Sequence, residues 1–193
     1  MINKTVKVYV YRIKHDYLNN INWFNKYRLK QIDQCFNNTA RQQRIYSWLL
    51  INYALQKEFN YDIVKQKNFK LINKHFWKYK NYFFSITHRD EYVAIAISTH
   101  KIGVDLELFN KKLFKENIWN RIVNEDKNLK YSPLSCLILW IKSEAFFKQT
   151  SLKHIAWLNK KHDERITVIN IKRTKIWLAI TCNKKDLKLV VDI

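Results

Sequence analysis

The only glycine of the 193 residues, Gly103, stands in an apolar run that also carries two carboxylates, Asp105 and Glu107. Residues i and i+2 of a β-strand point to the same face, so this run predicts a strand on which the two carboxylates project together. The opposite face would be apolar, formed by Val104, Leu106 and Leu108. Paired carboxylates on a core strand lose hydration and repel each other, and a bound cation such as Mg²⁺ would relieve both costs. An edge strand with its polar face in water has the same pattern, so both interpretations stay open at this point.

The overall charge indicates an anionic partner. Lys and Arg total 36 against 16 Asp and Glu, which gives a formal net charge of +20. Such a charge favours nucleic acid, a membrane surface, a phosphorylated small molecule or an acidic protein as the partner. Hydrophobic residues make up 47% of the chain, enough for the core of one large domain or two small ones.

Cysteine usage and hydropathy limit the class of protein further. Cys35, Cys136 and Cys182 are widely spaced and odd in number. They argue against a disulfide framework or a structural zinc site and indicate a reducing, cytoplasmic setting. Residues 1–13 alternate as a strand does rather than as a signal sequence. Because no apolar run approaches the ~20 residues of a membrane-spanning helix, we expect no membrane partner.

Hydrophobic periodicity predicts the order strand, helices, three strands, helices, three strands. Alternation predicts strands near 6–11, 82–86, 92–98, 102–108, 165–171, 175–182 and 187–191. Helical spacing predicts helices over 17–35, 40–59, 111–123 and 133–149, with N-caps at Asn38-Thr39 and Ser132. The polar, lysine-rich composition of residues 60–80 predicts a connecting loop with one short strand. Short turns at 87–90 and 99–100 predict that the strands between residues 82 and 108 form an antiparallel meander. The order of the elements predicts an α+β fold with two similar halves.

Several polar side chains fit either a solvated surface or a site. Glu144 and Lys148 lie four positions apart on a largely apolar helix. They form a surface ion pair worth ~0.3–0.5 kcal/mol, or Glu144 points at a ligand. Arg41 and Arg44 on their own fit a solvated helix face, and His88 fits a solvated turn.

Four segments, taken together and in order, resemble the 4′-phosphopantetheinyl transferase superfamily. Residues 102–107, IGVDLE, resemble its (V/I)G(V/I)D(V/I)E motif, and residues 140–148, WIKSEAFFK, resemble its W-x-x-K-E-(A/S)-x-x-K motif. Residues 84–88, FSITH, resemble its F-N-(I/L)-S-H-S segment, and the helix after Thr39 resembles its early R…LL helix. Order and spacing are similar to the longer, monomeric surfactin-synthetase type over roughly residues 5–182.

The resemblance implies a fold and a set of site residues. The fold would have two similar subdomains, 1–98 and 99–193, each a small, mostly antiparallel sheet packed with a long helix, related by a pseudo-twofold axis with the active site at their interface. The Mg²⁺ ligands would be Asp105, Glu107 and Glu144, and the catalytic residues Glu144 and Lys148. The coenzyme A contacts would be Thr87, His88, Lys74, Lys142 and Arg41, with Arg44 as the alternative to Arg41.

The chain departs from the family pattern at several positions. Ser143 replaces the lysine that precedes the motif glutamate, and Lys142 stands one residue earlier, about 100° around the helix. Arg89 replaces the last serine of S-H-S, residues 149–152 lack the usual glycines, and the segment at Lys74 lacks the glycine and proline of Gly-Lys-Pro. These changes bear on nucleotide binding and turn geometry, and they leave the three carboxylates in place.

The resemblance implies a Mg²⁺-dependent transfer of phosphopantetheine from coenzyme A to a serine of an apo acyl or peptidyl carrier protein, with Glu144 as the base and Lys148 assisting. The enzyme would be a cytoplasmic monomer, and its charge would steer it toward acidic carriers. Two alternatives stay open. One is a basic domain that binds nucleic acid through the lysines and aromatic residues of 65–80, although the chain has no nucleic-acid motif. The other is a degenerate transferase that binds without transferring.

Overall fold

The computed structural model describes residues 5–14, 24, 26–61, 70–73, 76–79, 81–123, 130–151, 165–172 and 174–192. Within these ranges the chain forms nine strands and four helices, an α+β arrangement that confirms the predicted class. The strands are β1 (Val6–Arg12), β2 (Lys70–Asn73), β3 (Phe76–Tyr79), β4 (Tyr82–Arg89), β5 (Tyr92–Ser98), β6 (Val104–Leu108), β7 (Thr167–Asn170), β8 (Ile176–Ile180) and β9 (Leu187–Asp192). The helices are α1 (Lys26–Asp33), α2 (Asn38–Phe59), α3 (Glu116–Ile122) and α4 (Pro133–Thr150).

The larger sheet has the strand order β2-β3-β4-β5-β1-β9. β1 pairs with β9 in parallel, and all other neighbours in this sheet are antiparallel. Two strands, β2 and β3, occupy the region where one was predicted. The last strand of the chain thus lies beside the first, across the expected division at residue 98. That division and the pseudo-twofold relation stay predictions.

The smaller sheet has the order β6-β8-β7 and is antiparallel throughout. The predicted meander is therefore wrong at its third strand, because β6 pairs with β8 and not with β5. The reason is packing. The apolar face of β6, which includes Val104 and Leu106, covers Val8 and Ala96 of the larger sheet instead of extending that sheet.

Apolar packing arranges the helices and sheets in four layers. α2 covers one face of the larger sheet, where Trp48 and Ile51 pack in a core with Tyr9. The other face of the larger sheet packs on the smaller sheet through a second core. α4 covers the outer face of the smaller sheet through a third core that contains Leu137 and Ile141. Strand β6 therefore lies between α4 and the larger sheet.

Helix boundaries follow local caps. The N-cap of α2 is Asn37, whose Oδ1 accepts a hydrogen bond from the amide of Ala40 at 2.8 Å, so the predicted cap at Asn38-Thr39 is one residue late. Ser132 caps α4 as predicted and accepts from the amide of Ser135 at 3.0 Å. Much of the predicted helix 17–35 lies outside the described residues, and α3 is shorter than predicted. None of the described helices is long and apolar enough to cross a membrane.

Strand β4 is longer than predicted and continues through His88 to Arg89. The turn before β5 is reduced to Asp90 and Glu91, and Asp90 takes the left-handed conformation with a φ of 49°, which Asp tolerates. The prediction that His88 lies in a turn is therefore wrong. Because side chains alternate along a strand, Thr87 and Arg89 share one face of β4 and His88 lies on the other.

Candidate active site

Asp105 and Glu107 project from the same face of β6, as the alternation predicts, and this face is turned toward α4. Val104 and Leu106 on the opposite face are buried in the core between the two sheets. Asp105 is itself almost completely buried, with 6% of its surface exposed. Together with Glu144 on α4, these two residues form what we call the carboxylate cluster.

The close approach of α4 to β6 explains the single glycine. A Cβ atom on Gly103 would lie 1.8 Å from the carbonyl oxygen of Ala145, far inside van der Waals contact. The amide of Gly103 donates to the hydroxyl of Thr181 on the neighbouring chain segment at 2.8 Å, which fixes the start of β6. The missing side chain therefore lets the carboxylates of β6 reach the side chains of α4.

Lys148 connects α4 to β6 directly. Its Nζ lies 2.7 Å from Oδ1 of Asp105 and 3.2 Å from the carbonyl oxygen of Val104. Glu144 lies one turn earlier on the same stripe of α4. Burial raises the pKa of Glu144, the charge of Asp105 raises it further, and Lys148 lowers it. The helix thus brings a cation and a third carboxylate to Asp105.

Hydroxyl groups of β4 bind the open edge of β6. The Ser85 hydroxyl accepts a hydrogen bond from the amide of Val104 at 3.1 Å, and the Thr87 hydroxyl accepts from the amide of Leu106 at 3.3 Å. The Thr87 hydroxyl also donates to Oδ1 of Asp105 at 3.0 Å. Thr87 is buried, and its hydroxyl positions Asp105, while the predicted contact of Thr87 with coenzyme A stays a prediction. Strand alternation from Thr87 would have identified Ser85 as a further site residue.

Glu107 is the most strongly perturbed carboxylate of the cluster. Burial raises its pKa to about 7, Arg89 opposes that rise, and Asp105 adds to it. Nε of Arg89 lies 3.2 Å from Oε2 of Glu107, but neither atom has a hydrogen-bond partner among the described residues. Arg89, which stands where the family motif has a serine, is thus a site residue that the motif comparison did not assign.

The carboxylate cluster has the donors and the charge that suit Mg²⁺. Among the described residues, no group of three or more His, Cys, Asp or Glu side chains already surrounds a single metal position. However, a buried oxygen of Glu107 has no hydrogen-bond partner within the described part of the chain, and Asp105 raises the pKa of both Glu107 and Glu144. Hard oxygen donors with excess negative charge are those that Mg²⁺ prefers. The residues fit this ion, and Lys148 and Arg89 balance only part of their charge.

His88 faces the opposite side of β4, toward α2. With Arg44 it lines a cavity of about 340 Å³, which we call the Phe36 cavity. The walls of this cavity are Gln31, Gln34, Cys35, Phe36, Ala40, Gln43, Arg44 and His88. His88 is exposed at the rim, yet partial burial of its ring lowers its pKa, and the positive charges of Lys148 and Arg44 lower it further. Arg44 thus lines the cavity together with His88 and could share an anionic ligand with it.

The two candidate arginines of α2 have different surroundings. Arg44 is exposed and lines the Phe36 cavity with His88. Nη2 of Arg41 lies 3.8 Å from Oδ1 of Asp33 at the end of α1, and Arg41 is not among the residues that line this cavity. The geometry therefore favours Arg44, the alternative in the motif comparison, over Arg41 as the contact to an anionic ligand.

The remaining predicted contacts stay predictions. Lys142 stands two positions before Glu144 on α4, about 200° around the helix axis, so the two side chains leave the helix in nearly opposite directions. Ser143 is buried, and its hydroxyl donates to the carbonyl oxygen of Leu139 at 2.8 Å, so a lysine at this position would be withdrawn from water. Lys74 lies outside the described residues.

The end of α4 keeps the turn that the absent glycines would favour. Ser151 follows the helix with a φ of 61°, and its amide donates to the carbonyl oxygen of Phe147 at 2.7 Å. This left-handed position is the one that glycine commonly fills after a helix. The replacement of glycine in residues 149–152 is thus compatible with the helix end that holds Lys148.

Comparison with known proteins adds no relative: no protein-family model matches the chain, and no curated protein is significantly similar to it. The motif resemblance therefore depends on the residues themselves and on how they meet. Thr87 and Lys148 are 18 and 43 positions from Asp105 in sequence, and both contact its Oδ1. A partly buried acidic cluster near a basic cavity can bind a phosphorylated ligand, hold a divalent cation and accept a proton.

Proposed function

We propose that the protein is a 4′-phosphopantetheinyl transferase of the surfactin-synthetase type. It would move phosphopantetheine from coenzyme A to a serine of an apo acyl or peptidyl carrier protein. The observation that carries this proposal is the convergence of three motif segments on one carboxylate, because β4, β6 and α4 contribute Thr87, Asp105 and Lys148 to one hydrogen-bonded group. Such a meeting of residues distant in sequence supports a shared chemical role.

The carboxylates supply the acid–base chemistry of this reaction. Glu144 accepts the proton of the carrier serine as the general base. The serine oxygen then bonds to the β-phosphorus of coenzyme A while the bond from that phosphorus to 3′,5′-ADP breaks. A Mg²⁺ ion held by Asp105, Glu107 and Glu144 would neutralise charge on the pyrophosphate.

Basic side chains hold the anionic substrate. Arg44 and His88 would bind the 3′-phosphate from the Phe36 cavity, while Lys148 stabilises negative charge near Asp105. The net charge of +20 favours fast association with an acidic carrier, and that association would slow as salt is raised. We expect the enzyme to act as a cytoplasmic monomer.

Intact mass spectrometry of an apo carrier protein tests the proposal. The carrier is incubated with this protein, coenzyme A and Mg²⁺, and a gain of one phosphopantetheine is expected. EDTA or Asp105→Asn should abolish the gain in mass. The control is Glu116→Gln, which removes an exposed carboxylate in the first turn of α3 and should leave the gain in mass intact. If several acyl and peptidyl carriers gain no mass while the protein still binds coenzyme A, it binds without transferring, and the proposed activity is wrong.

A further inference from the structure

Phe36 is the most exposed large apolar side chain among the residues that the structure describes. Its relative exposure is 90%, and the next highest value in that set is 51% for Tyr27. An isolated aromatic ring in water is costly because its apolar surface stays hydrated. Phe36 lies between α1 and α2 rather than on a core face, so packing within the described residues does not explain it.

The cavity beside Phe36 combines an aromatic wall with a basic end. Phe36 and Cys35 line it from the α1–α2 connection, whereas Arg44 and His88 line it from α2 and β4. Its volume of about 340 Å³ lies near the lower end of the ~300–1,000 Å³ of small-molecule sites. It is thus large enough for part of a cofactor, with the rest lying outside.

The cavity is also close to the carboxylate cluster. His88 lines the cavity, and its chain neighbour Thr87 donates to Oδ1 of Asp105. The side chains of Thr87 and His88 point to opposite faces of β4, but the charges of Lys148 and Asp105 both reach His88 and shift its pKa. A ligand whose nucleotide end occupies the cavity could therefore extend its pyrophosphate toward the cluster.

We propose that Phe36 stacks on the adenine base of coenzyme A and so makes the site selective for a purine. This inference rests on the proposed function and extends it to the residue that recognises the base. Arg44 and His88 bind the 3′-phosphate, and the exposed ring of Phe36 covers one face of the adenine. Stacking suits this position because an aromatic ring and a base attract each other through their flat faces without hydrogen bonds.

Calorimetric titration with adenosine 3′,5′-bisphosphate and uridine 3′,5′-bisphosphate tests the proposal. In the wild type the adenosine ligand should bind more tightly, since a purine offers the larger stacking face. Phe36→Ala should weaken the adenosine ligand about tenfold and should reduce the difference between the two ligands. Phe36→Tyr keeps the ring and should retain wild-type selectivity. Leu113→Ala, which removes another exposed apolar side chain outside the cavity, should change neither affinity.

Three results would overturn the proposal, and they are distinguishable. If the wild type transfers phosphopantetheine but Phe36→Ala binds both bisphosphates as the wild type does, the stacking role is wrong and the transferase function stands. A change in carrier affinity or in self-association with unchanged nucleotide affinity would likewise reassign Phe36 to a protein contact. If the wild type neither transfers nor binds either bisphosphate, the proposed function fails and the stacking role fails with it.

Discussion

Thr87 and His88 are neighbours in sequence, and the family motif assigns both to coenzyme A, but they serve opposite sides of β4. Thr87 is buried, and its hydroxyl is hydrogen-bonded to both Asp105 and the amide of Leu106. His88 is exposed and lines an open cavity with Arg44. The carboxylate cluster is therefore tied into the contacts that join the two sheets, whereas the Phe36 cavity is not. Substitutions in the cluster should change stability, and substitutions of the exposed cavity residues Phe36, Arg44 and His88 should change ligand affinity alone.

Gly103→Ala should give the largest effect. The added methyl group would clash with the backbone of Ala145, so α4 and β6 must separate. We expect the free energy of unfolding to fall by about 3 kcal/mol. For Phe36→Ala, on the cavity side, the free energy of unfolding should stay within about 0.5 kcal/mol of the wild-type value, since that side chain is exposed. Denaturant titration of both variants measures the contrast, and equal stabilities would remove the distinction between the two regions.

The stabilities of Thr87→Val and His88→Gln compare the two sides of β4 directly. Valine keeps the shape of threonine but leaves the amide of Leu106 and Oδ1 of Asp105 without the hydroxyl between them. The free energy of unfolding should fall by about 2 kcal/mol, while Thr87→Ser, which keeps the hydroxyl, should lose less. His88→Gln should be nearly neutral for stability. The comparison fails if the exposed histidine proves more costly to replace than the buried threonine.

Glu107→Gln should give the smallest effect, with a sign that depends on pH. Burial raises the pKa of Glu107 from 4.5 to about 7, so the folded protein holds this proton more tightly than the unfolded chain does. Ionisation of Glu107 therefore destabilises the fold increasingly as pH rises from about 4.5 to about 7, and the cost is complete above that range. In EDTA, the melting temperature of Glu107→Gln should exceed that of the wild type at pH 8, and the gain should shrink at pH 5. A gain that is independent of pH would show that charge is not its cause.

Local sequence patterns were sufficient to predict several parts of this structure. Strict alternation predicted that Asp105 and Glu107 share a face of β6, and Ser132 followed by proline predicted the start of α4. Both features depend on periodicity and capping, which act over a few residues. The spacing of Glu144 and Lys148 likewise fixed their common stripe, because helix geometry determines it.

Non-local contacts explain what the sequence did not reveal. The partner of β6 is β8, about 70 residues away in sequence, as the pairing of Val104 with Ile180 shows. The short turn before β6 wrongly indicated pairing with β5. The motif position of Thr87 gave no sign that the carboxylate of Asp105 lies 3.0 Å from its hydroxyl. The sequence likewise did not show which arginine faces an anionic ligand, because it did not reveal that Arg41 lies beside Asp33 of another helix.

The central claim is that the carboxylate cluster holds a divalent cation together with coenzyme A, and Mn²⁺ electron paramagnetic resonance tests it most directly. Free Mn²⁺ is titrated with protein in the presence and absence of coenzyme A. We expect the wild type to bind one Mn²⁺, more tightly when coenzyme A is present, and Asp105→Asn to lose this binding while it remains folded by circular dichroism. Unchanged Mn²⁺ affinity in folded Asp105→Asn, or no binding by the wild type with coenzyme A, would contradict the claim and leave Asp105 as a structural partner of Lys148 and Thr87.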